Sequence, residues 1–301
     1  MTKLALLLSC LLCVPLGAAE VPPLNTPPTS DQFPGKFIWA DLFTADQEAA
    51  AKFYTALFGW TSAVISRDSD RGVHDYIVLA NAGRPVAGIA LLRPEKMPGR
   101  SHGRWIEYIS VADVPQALAA AVAGGGRVVF PAKDLPQRGV QAIITDPEGA
   151  FLGLMHSASG DPGEYRPDPG DWTWSQLFSR DPATASRYYQ TAFGYEIFPD
   201  SRLARPDTFL LGSGTFARAS IGPLLSRPNA KPAWLGYVRV PDLKAALARV
   251  PGLGGRILIQ PRALGTDGQL AVIADSVGAA IGLVEHAEED QGAAATPPPV
   301  P

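Results

Sequence analysis

The 301-residue sequence contains little charge, and its basic residues do not form a run. Charged residues make up 18% of the chain, below the roughly one quarter that is typical of globular domains. The formal net charge is −3, so the chain lacks the positive field that binding to a phosphate backbone requires. We therefore expect no nucleic-acid partner. Because 46% of the residues are hydrophobic, the chain can still form a folded core.

Cysteine is also scarce, since only Cys10 and Cys13 occur. Both lie in residues 1–19, which have the order of a secretory signal peptide: a basic Lys3, an apolar run and a small-residue cleavage site ending at Ala19. Cleavage there would leave a mature protein with no disulfide and no catalytic thiol. We expect a periplasmic or secreted protein. Processing as a lipoprotein at Cys10 is the alternative.

The apolar part of this leader is too short to cross a membrane. It runs from Leu4 to Leu16 and spans about 20 Å at ~1.5 Å per residue, against a hydrocarbon core of ~30 Å. We therefore expect no membrane span after the leader is removed.

Motifs of two common enzyme classes are absent as well. Gly124–Gly126 follows a predicted helix instead of preceding one, and the GxGxxG spacing of dinucleotide sites does not occur there. No segment resembles a nucleophile elbow. The sequence therefore does not indicate a nucleotide-binding protein or a serine hydrolase.

Three segments rich in proline or polar residues divide the chain: residues 20–35, 158–170 and 287–301. They show no hydrophobic periodicity, so we expect a Pro-rich tether, a linker and a disordered tail. Two bodies of similar length lie between them, residues 36–157 and 171–286.

The two bodies repeat each other, and this repeat is the most informative feature of the sequence. Three blocks of identities occur in the same order, at offsets of 135 or 129 residues. They include Trp39/Trp174, Tyr54/Tyr189, Gly59/Gly194, Trp105/Trp234, Tyr108/Tyr237, Asp113/Asp242, Asp146/Asp275 and Gly153/Gly282. We interpret the chain as a tandem duplication.

Each copy also contains the same order of strand and helix signals. Asp46 and Asp181 are predicted N-caps of helices that end at Gly59 and Gly194. Asp113 is the predicted N-cap of a second helix. The pattern is a strand, a helix and two or three strands, and it occurs twice in each copy.

These motifs resemble those of the vicinal oxygen chelate (VOC) superfamily, which includes glyoxalase, bleomycin-resistance and extradiol dioxygenase proteins. The resemblance rests on Trp39-x-Asp41-Leu42, Leu57-Phe58-Gly59-Trp60, Trp105-x-x-Tyr108-x-x-Val111-x-Asp113 and Asp146-Pro147-Glu148-Gly149-Ala150. Within the superfamily the chain resembles two-domain glyoxalase-like members, and this resemblance is weaker in the second copy. The resemblance implies an α+β fold of tandem VOC domains, each built from paired βαβββ modules that form a curved mixed sheet around a cavity.

The family's usual chemistry is a divalent metal held by His and Glu or Gln on facing strands, to which a substrate binds through two adjacent oxygens. The resemblance places these ligand positions on Ala40, Ile106 and Gly153 in the first copy and on Ser175, Leu235 and Gly282 in the second. Such residues do not supply the three or four ligands that a catalytic metal needs. We therefore predict no metal and no other cofactor. A shift of one residue in register would leave Asp41, Glu107 and Gln176 as alternative ligands.

The four histidines do not supply the missing ligands. His74, His102, His156 and His286 are widely separated, and no two have the short spacing of a helix-borne metal pair. We interpret them as surface or strand-end residues.

The candidate ligand-binding residues are recurring aromatic and polar side chains: Trp39, Asp41, Glu107, Tyr108, Trp174, Gln176 and Tyr237. The tryptophans would either stack on a planar ligand or pack in the core. The tyrosine hydroxyls would donate hydrogen bonds. Asp41 and Glu107 would form an acid/base pair only if they share a cavity, so no residue is assigned a catalytic role.

Three functions remain open, because the fold alone does not choose among them. The first is an exported protein that binds a small organic molecule without a metal. The second is a metal-dependent glyoxalase, dioxygenase or isomerase with the non-standard ligands Asp41, Glu107 or Gln176. The third is a structural or partner-binding module whose cavities are filled by side chains. The sequence does not reveal an oligomeric state.

Overall fold

The computed structural model describes residues 21–65, 76–92, 103–200, 207–224, 230–264 and 268–286. The predicted leader and tail therefore lie outside the described residues, as do His74 and His102. No helix in the described part of the chain is long and apolar enough to cross a membrane.

The elements of the first copy follow the predicted order. They are β1 (Phe37–Thr44), α1 (Gln47–Phe58), β2 (Thr61–Ile65), β3 (Tyr76–Asn81), β4 (Arg84–Leu91), β5 (Arg104–Ser110), α2 (Val114–Ala123), β6 (Arg127–Leu135), β7 (Gly139–Thr145) and β8 (Phe151–Ser157). Each half of this series is a βαβββ module, as predicted.

The second copy repeats the series. Its elements are β9 (Trp172–Ser179), α3 (Pro182–Phe193), β10 (Glu196–Pro199), β11 (Phe209–Ser213), β12 (Phe216–Pro223), β13 (Ala233–Arg239), α4 (Leu243–Arg249), a 3-10 turn (Pro251–Leu253), β14 (Arg256–Ala263), β15 (Gly268–Ala274) and β16 (Ala280–His286).

Each copy folds into its own eight-stranded mixed sheet. The strand order is β2-β3-β4-β1-β5-β8-β7-β6 in the first domain and β10-β11-β12-β9-β13-β16-β15-β14 in the second. The two modules of a domain meet at a central antiparallel pair, β1 with β5 or β9 with β13. The predicted tandem α+β architecture is confirmed.

The helix ends follow the sequence signals. The Asp46 side chain accepts a hydrogen bond of 2.9 Å from the Ala49 amide, and Gly59 ends the helix at a φ of 73° that L-residues rarely adopt. Asp181 and Gly194 have the same roles in the second domain. An N-cap of this kind stabilises a helix by about 1 kcal/mol.

The helices pack between the two sheets and make two hydrophobic clusters, each with residues of both domains. Helix α1 of the first domain packs with α4, β15 and β16 of the second, and α2 packs with α3. The inner face of each sheet forms a separate cluster, away from this interface. The domains therefore stabilise each other through their outer faces.

Two equivalent hydrogen-bond chains cross this interface. Trp105 Nε1 donates to the Tyr54 hydroxyl at 2.8 Å, and that hydroxyl donates to Asp275 Oδ2 at 2.7 Å. The second chain joins the duplicated residues in the reverse sense: Trp234 donates to Tyr189 at 2.9 Å, and Tyr189 donates to Asp146 at 3.0 Å. Each of these contacts between the domains thus has a counterpart made by the duplicated residues, as expected if an approximate twofold axis relates the two domains.

The segment 20–35, expected to be an extended tether, is packed against the body over its described part. The amides of Leu24 and Asn25 donate to Ser159 Oγ at 2.9 and 3.1 Å, and Val21 and Leu24 are buried. The expected linker is packed in the same way, because Ser159 and Asp161 are buried. Short polar side chains accept hydrogen bonds from backbone amides here. A sequence without hydrophobic periodicity gives no sign of such contacts.

Candidate functional site

The inner face of the first sheet carries the candidate site. On β1, Trp39, Asp41 and Phe43 line a cavity of about 420 Å³, whereas Ala40 and Leu42 belong to the core between the domains. The other walls come from β3, β4, β5, β6 and β7 and from the N-terminal segment. The ligand position predicted at Ala40 is therefore wrong by one residue, because Asp41 is the residue that faces inward.

Asp41 is the centre of a hydrogen-bond network on this inner face. Its Oδ1 accepts from Trp39 Nε1 at 2.8 Å and from the Tyr76 hydroxyl at 2.5 Å. Tyr108 lies near enough for the Asp41 charge to act on its phenol. Although Asp41 is only 5% exposed, the donors Trp39 and Tyr76 compensate for its burial.

The two tyrosines are held in their protonated form. Burial raises the pKa of Tyr76 and of Tyr108 well above the usual range, and the nearby Asp41 charge raises both further, while Arg138 lowers them. Both hydroxyls therefore remain hydrogen-bond donors at neutral pH.

Two glycines make room for these tyrosines. A side chain at Gly88 would overlap the Tyr76 hydroxyl and Asp41 Oδ1. A side chain at Gly153, the predicted position of a glutamate ligand, would overlap the ring of Tyr108. The space that a metal ligand on β4 or β8 would need is thus filled by phenol groups.

The described residues of this inner face do not fit a divalent metal ion. The central inward positions on β1, β5 and β8 hold Asp41, Ile106 and Gly153, which together offer one carboxylate. No three His, Cys, Asp or Glu side chains of the described residues converge in a metal-binding group. Structural metal sites commonly use four protein ligands and catalytic sites three.

Glu107 lies on the opposite face of β5, in the interface between the domains. Ser175 Oγ donates to Glu107 Oε1 at 2.5 Å, and Oε2 has no hydrogen-bond partner among the described residues. Burial raises the pKa of Glu107 to about 8, and the bond from Ser175 lowers it slightly. Asp41 and Glu107 therefore do not share a cavity, and the structure does not support an acid/base pair between them.

The inner face of the second domain has a different character. Gln176, the counterpart of Asp41, accepts a hydrogen bond of 3.1 Å from the Tyr237 hydroxyl. Trp174 donates to Ser220 Oγ at 3.0 Å. Apolar side chains form a cluster around them: Phe178, Leu235, Leu270, Val272 and Val284. The candidate residues Trp174, Gln176 and Tyr237 thus lie together, but in another domain than Trp39, Asp41 and Tyr108.

Sequence reasoning missed two residues of the cavity, Tyr76 and Arg138. Tyr76 lies in a predicted strand, where residues two apart share a face. Its spacing from Val78 could therefore have indicated which face it occupies. Arg138 lies between two predicted strands, where an arginine is normally exposed, yet it is only 1% exposed. Its guanidinium lies 3.9 Å from the centre of the Trp39 ring, and its Nε donates to the Pro22 carbonyl at 2.9 Å.

The described histidines lie at strand ends, as expected. His156 is the penultimate residue of β8, and its Nδ1 lies 3.2 Å from the Val111 carbonyl. His286 ends β16 near the Thr173 hydroxyl. Neither lines the cavity of the first domain.

Comparisons with known proteins agree with this architecture. The family model "Glyoxalase/Bleomycin resistance protein/Dioxygenase superfamily" matches residues 36–154. The chain is 31% identical over 268 residues to "Putative glyoxylase CFP32" of Mycobacterium tuberculosis, a match that covers 87% of this chain and 99% of that protein. It is 29% identical over 272 residues to "Anthracycline biosynthesis protein DauV" of Streptomyces sp., with coverages of 87% and 97%.

Solved structures share the fold at low sequence identity. The Mn(II)-bound glyoxalase from Novosphingobium aromaticivorans superposes with a TM-score of 0.57 at 13% identity, covering 85% of this chain and 84% of that chain. The 2,3-dioxygenase LapB from Pseudomonas sp. KL28 gives a TM-score of 0.56 at 13% identity, with coverages of 89% and 97%. On the evidence of its family-model match and its relatives, the chain belongs to the glyoxalase/bleomycin resistance protein/dioxygenase superfamily, the vicinal oxygen chelate superfamily.

Proposed function

We propose that the protein binds a small organic molecule in the cavity of the first domain through side chains, without a metal ion such as the Mn(II) of the Novosphingobium aromaticivorans glyoxalase. The cavity volume of about 420 Å³ falls within the ~300–1,000 Å³ of ordinary ligand sites. Its lining combines apolar groups such as Phe43 and Ala90 with the polar network around Asp41. This combination is typical of a site that binds a ligand body and orients it by a few polar contacts.

The observation that carries the proposal is the set of donors around Asp41. A carboxylate that ligates a metal directs its lone pairs to the ion, whereas Asp41 accepts hydrogen bonds from Trp39 and Tyr76. The facing positions Ile106 and Gly153 offer no second ligand. The alternative ligands Asp41, Glu107 and Gln176 lie in three separate places, so none of them has another of the three as a neighbouring ligand.

The names of two relatives support a small organic ligand. One refers to a glyoxylase and the other to anthracycline biosynthesis. We infer that this chain likewise acts on or binds a small organic molecule.

A cavity-filling substitution tests the proposed site. Ala90 lines the cavity, so Ala90→Phe should abolish the thermal stabilisation that small aromatic compounds give to the wild-type protein. The matched control is Ala248→Phe at an exposed position of α4, which should leave ligand stabilisation unchanged. Equal stabilisation of wild type and Ala90→Phe would overturn the proposed site.

We also propose that the protein is exported and that its leader is cleaved after Ala19. The buried residues Val21 and Leu24 lie after this point, so cleavage there would keep them in the mature protein. Intact-mass measurement of the exported protein should give a chain that begins at Glu20. A chain that begins at a lipid-modified Cys10 would establish the lipoprotein alternative, and an unprocessed chain would contradict both.

A further inference from the structure

We propose that the ligand of the first-domain cavity is an organic anion, an arene carboxylate, whose carboxylate pairs with Arg138. This inference rests on the proposed function and specifies the ligand class of that same site. It is argued from a buried cation that lacks an anionic partner, from the charges of the cavity wall and from the shape of the apolar wall.

Arg138 is a buried cation whose hydrogen bonding is incomplete. It lines the cavity and is 1% exposed, and its Nη2 has no hydrogen-bond partner among the described residues. No carboxylate of the described residues forms an ion pair with it. A buried guanidinium normally pairs with an anion, because burying an uncompensated charge is costly.

The contacts that Arg138 does make hold its guanidinium in place. The bond from Nε to the Pro22 carbonyl and the stacking on the Trp39 ring fix the plane of the group. A fixed planar donor suits a carboxylate, which accepts hydrogen bonds from a guanidinium in one plane.

The charged groups of the cavity wall favour an anion. The charged side chains among its lining residues are Asp41, Arg138 and the exposed Lys133. Trp39 and Tyr76 are neutral donors, so their bonds to Asp41 leave the charge balance unchanged, and the wall holds two cations and one carboxylate. An anionic ligand would compensate the excess positive charge, whereas a cationic ligand would add to it.

Two near-parallel aromatic rings form part of the apolar wall. The rings of Phe43 and Phe130 stack at 6.2 Å with an interplanar angle of 19°, and Leu135 and Ile143 line the same cavity. A planar apolar body fits beside these rings, with its acidic group directed to Arg138.

The second copy shows that the module does not require an arginine at this point. At the offset of 129 residues that pairs Gly139 with Gly268, Arg138 corresponds to Asp267, which lies outside the described residues. The duplicated module thus has the opposite charge at this position. Arg138 is specific to the domain that has the polar network around Asp41.

The test compares two probes of the same shape, 2-naphthoate and its neutral amide 2-naphthamide, by calorimetric titration of the full chain. We expect the wild type to bind the carboxylate at least tenfold more tightly than the amide. Arg138→Met should remove this preference while the affinity for the amide is retained. Equal affinities of the wild type for both probes would overturn the anion inference and leave the proposed function intact. Binding of neither probe would overturn both.

A second variant keeps the test decisive if Arg138→Met does not fold. Lys133→Glu changes an exposed residue of the same wall and should weaken 2-naphthoate binding several-fold without changing the affinity for the amide. Lys52→Glu, an exposed change of the same charge on α1, is the matched control and should change neither affinity. Equal effects of Lys133→Glu and Lys52→Glu on 2-naphthoate binding would contradict the inference.

Discussion

The Tyr76 hydroxyl donates a hydrogen bond of 2.5 Å to Asp41 Oδ1, directly over the space that a side chain at Gly88 would occupy. This pair joins β3 to β1 across β4. The Mn(II)-bound glyoxalase from Novosphingobium aromaticivorans shares this fold, whereas the inner face of this domain is built around a carboxylate and its indole and phenol donors.

Gly88→Ala should disrupt this pair, because the new methyl group would overlap both Tyr76 and Asp41. We expect a loss of about 1–3 kcal/mol in the free energy of unfolding and at least a tenfold loss of ligand affinity. Denaturant unfolding and calorimetric titration measure the two effects. Gly163→Ala is the control, since an added methyl there has no neighbour within 4 Å. If Gly88→Ala behaves like this control, the close approach at Gly88 is not required.

The burial of Glu107 should make the stability of the protein depend on pH. Burial raises the pKa of Glu107 to about 8 in the folded protein, above the ~4.3 of an unfolded chain. The folded state therefore binds the extra proton between these values, and the free energy of unfolding should fall as pH rises from about 4.5 to 8.

Glu107→Gln isolates this effect, because it retains an acceptor for Ser175 and cannot ionise. We expect wild type to lose stability relative to Glu107→Gln by up to about 1.4 kcal/mol per pH unit across this range. Denaturant unfolding at several pH values measures the difference. A difference that does not vary with pH would show that Glu107 does not titrate in this way.

The two hydrogen-bond chains between the domains should stabilise the folded protein by similar amounts. Tyr54→Phe removes the donor to Asp275 Oδ2, and Tyr189→Phe removes the donor to Asp146 Oδ2, while the Oδ1 atoms of both aspartates keep their backbone donors. We expect each variant to lose about 1–3 kcal/mol in the free energy of unfolding, in a single cooperative transition. Tyr165→Phe at an exposed position is the control. Separate transitions for the two domains would contradict the shared hydrophobic clusters.

The N-terminal segment should form part of the ligand site. Val21 lines the cavity, and Pro22 accepts from Arg138, while Ser159 holds the segment through Leu24 and Asn25. Ser159→Ala should therefore weaken ligand binding several-fold and raise amide hydrogen exchange in residues 21–25. Ser62→Ala, at an exposed position of β2, is the control for the loss of a serine hydroxyl. Unchanged exchange in Ser159→Ala would show that the segment is held by other contacts.

The fold could be predicted from local signals. Asp46, Gly59 and their counterparts Asp181 and Gly194 mark helix ends through their own backbone chemistry, and the duplication places the same elements twice. Such signals act within a few residues, so they can be recognised in a single sequence.

The candidate site was less accessible to prediction, since both faces of β1 are buried. A strand with one exposed face shows which residues point inward, but Ala40 and Asp41 both lie in packed surroundings. The register therefore stayed open by one residue. The burial of Arg138 depends on Pro22, 116 residues away, and that of Glu107 on Ser175, 68 residues away. Contacts at such separations leave no local pattern.

The central claim, binding by side chains without a metal ion, is tested most directly by the metal content of the protein. Wild type and Asp41→Asn would be purified without chelators, titrated with Mn²⁺ and Zn²⁺ and measured by elemental analysis. The account predicts that both proteins retain well under one divalent ion per chain and that neither titration shows a site that depends on Asp41. One tightly held ion per wild-type chain that is lost in Asp41→Asn would contradict it.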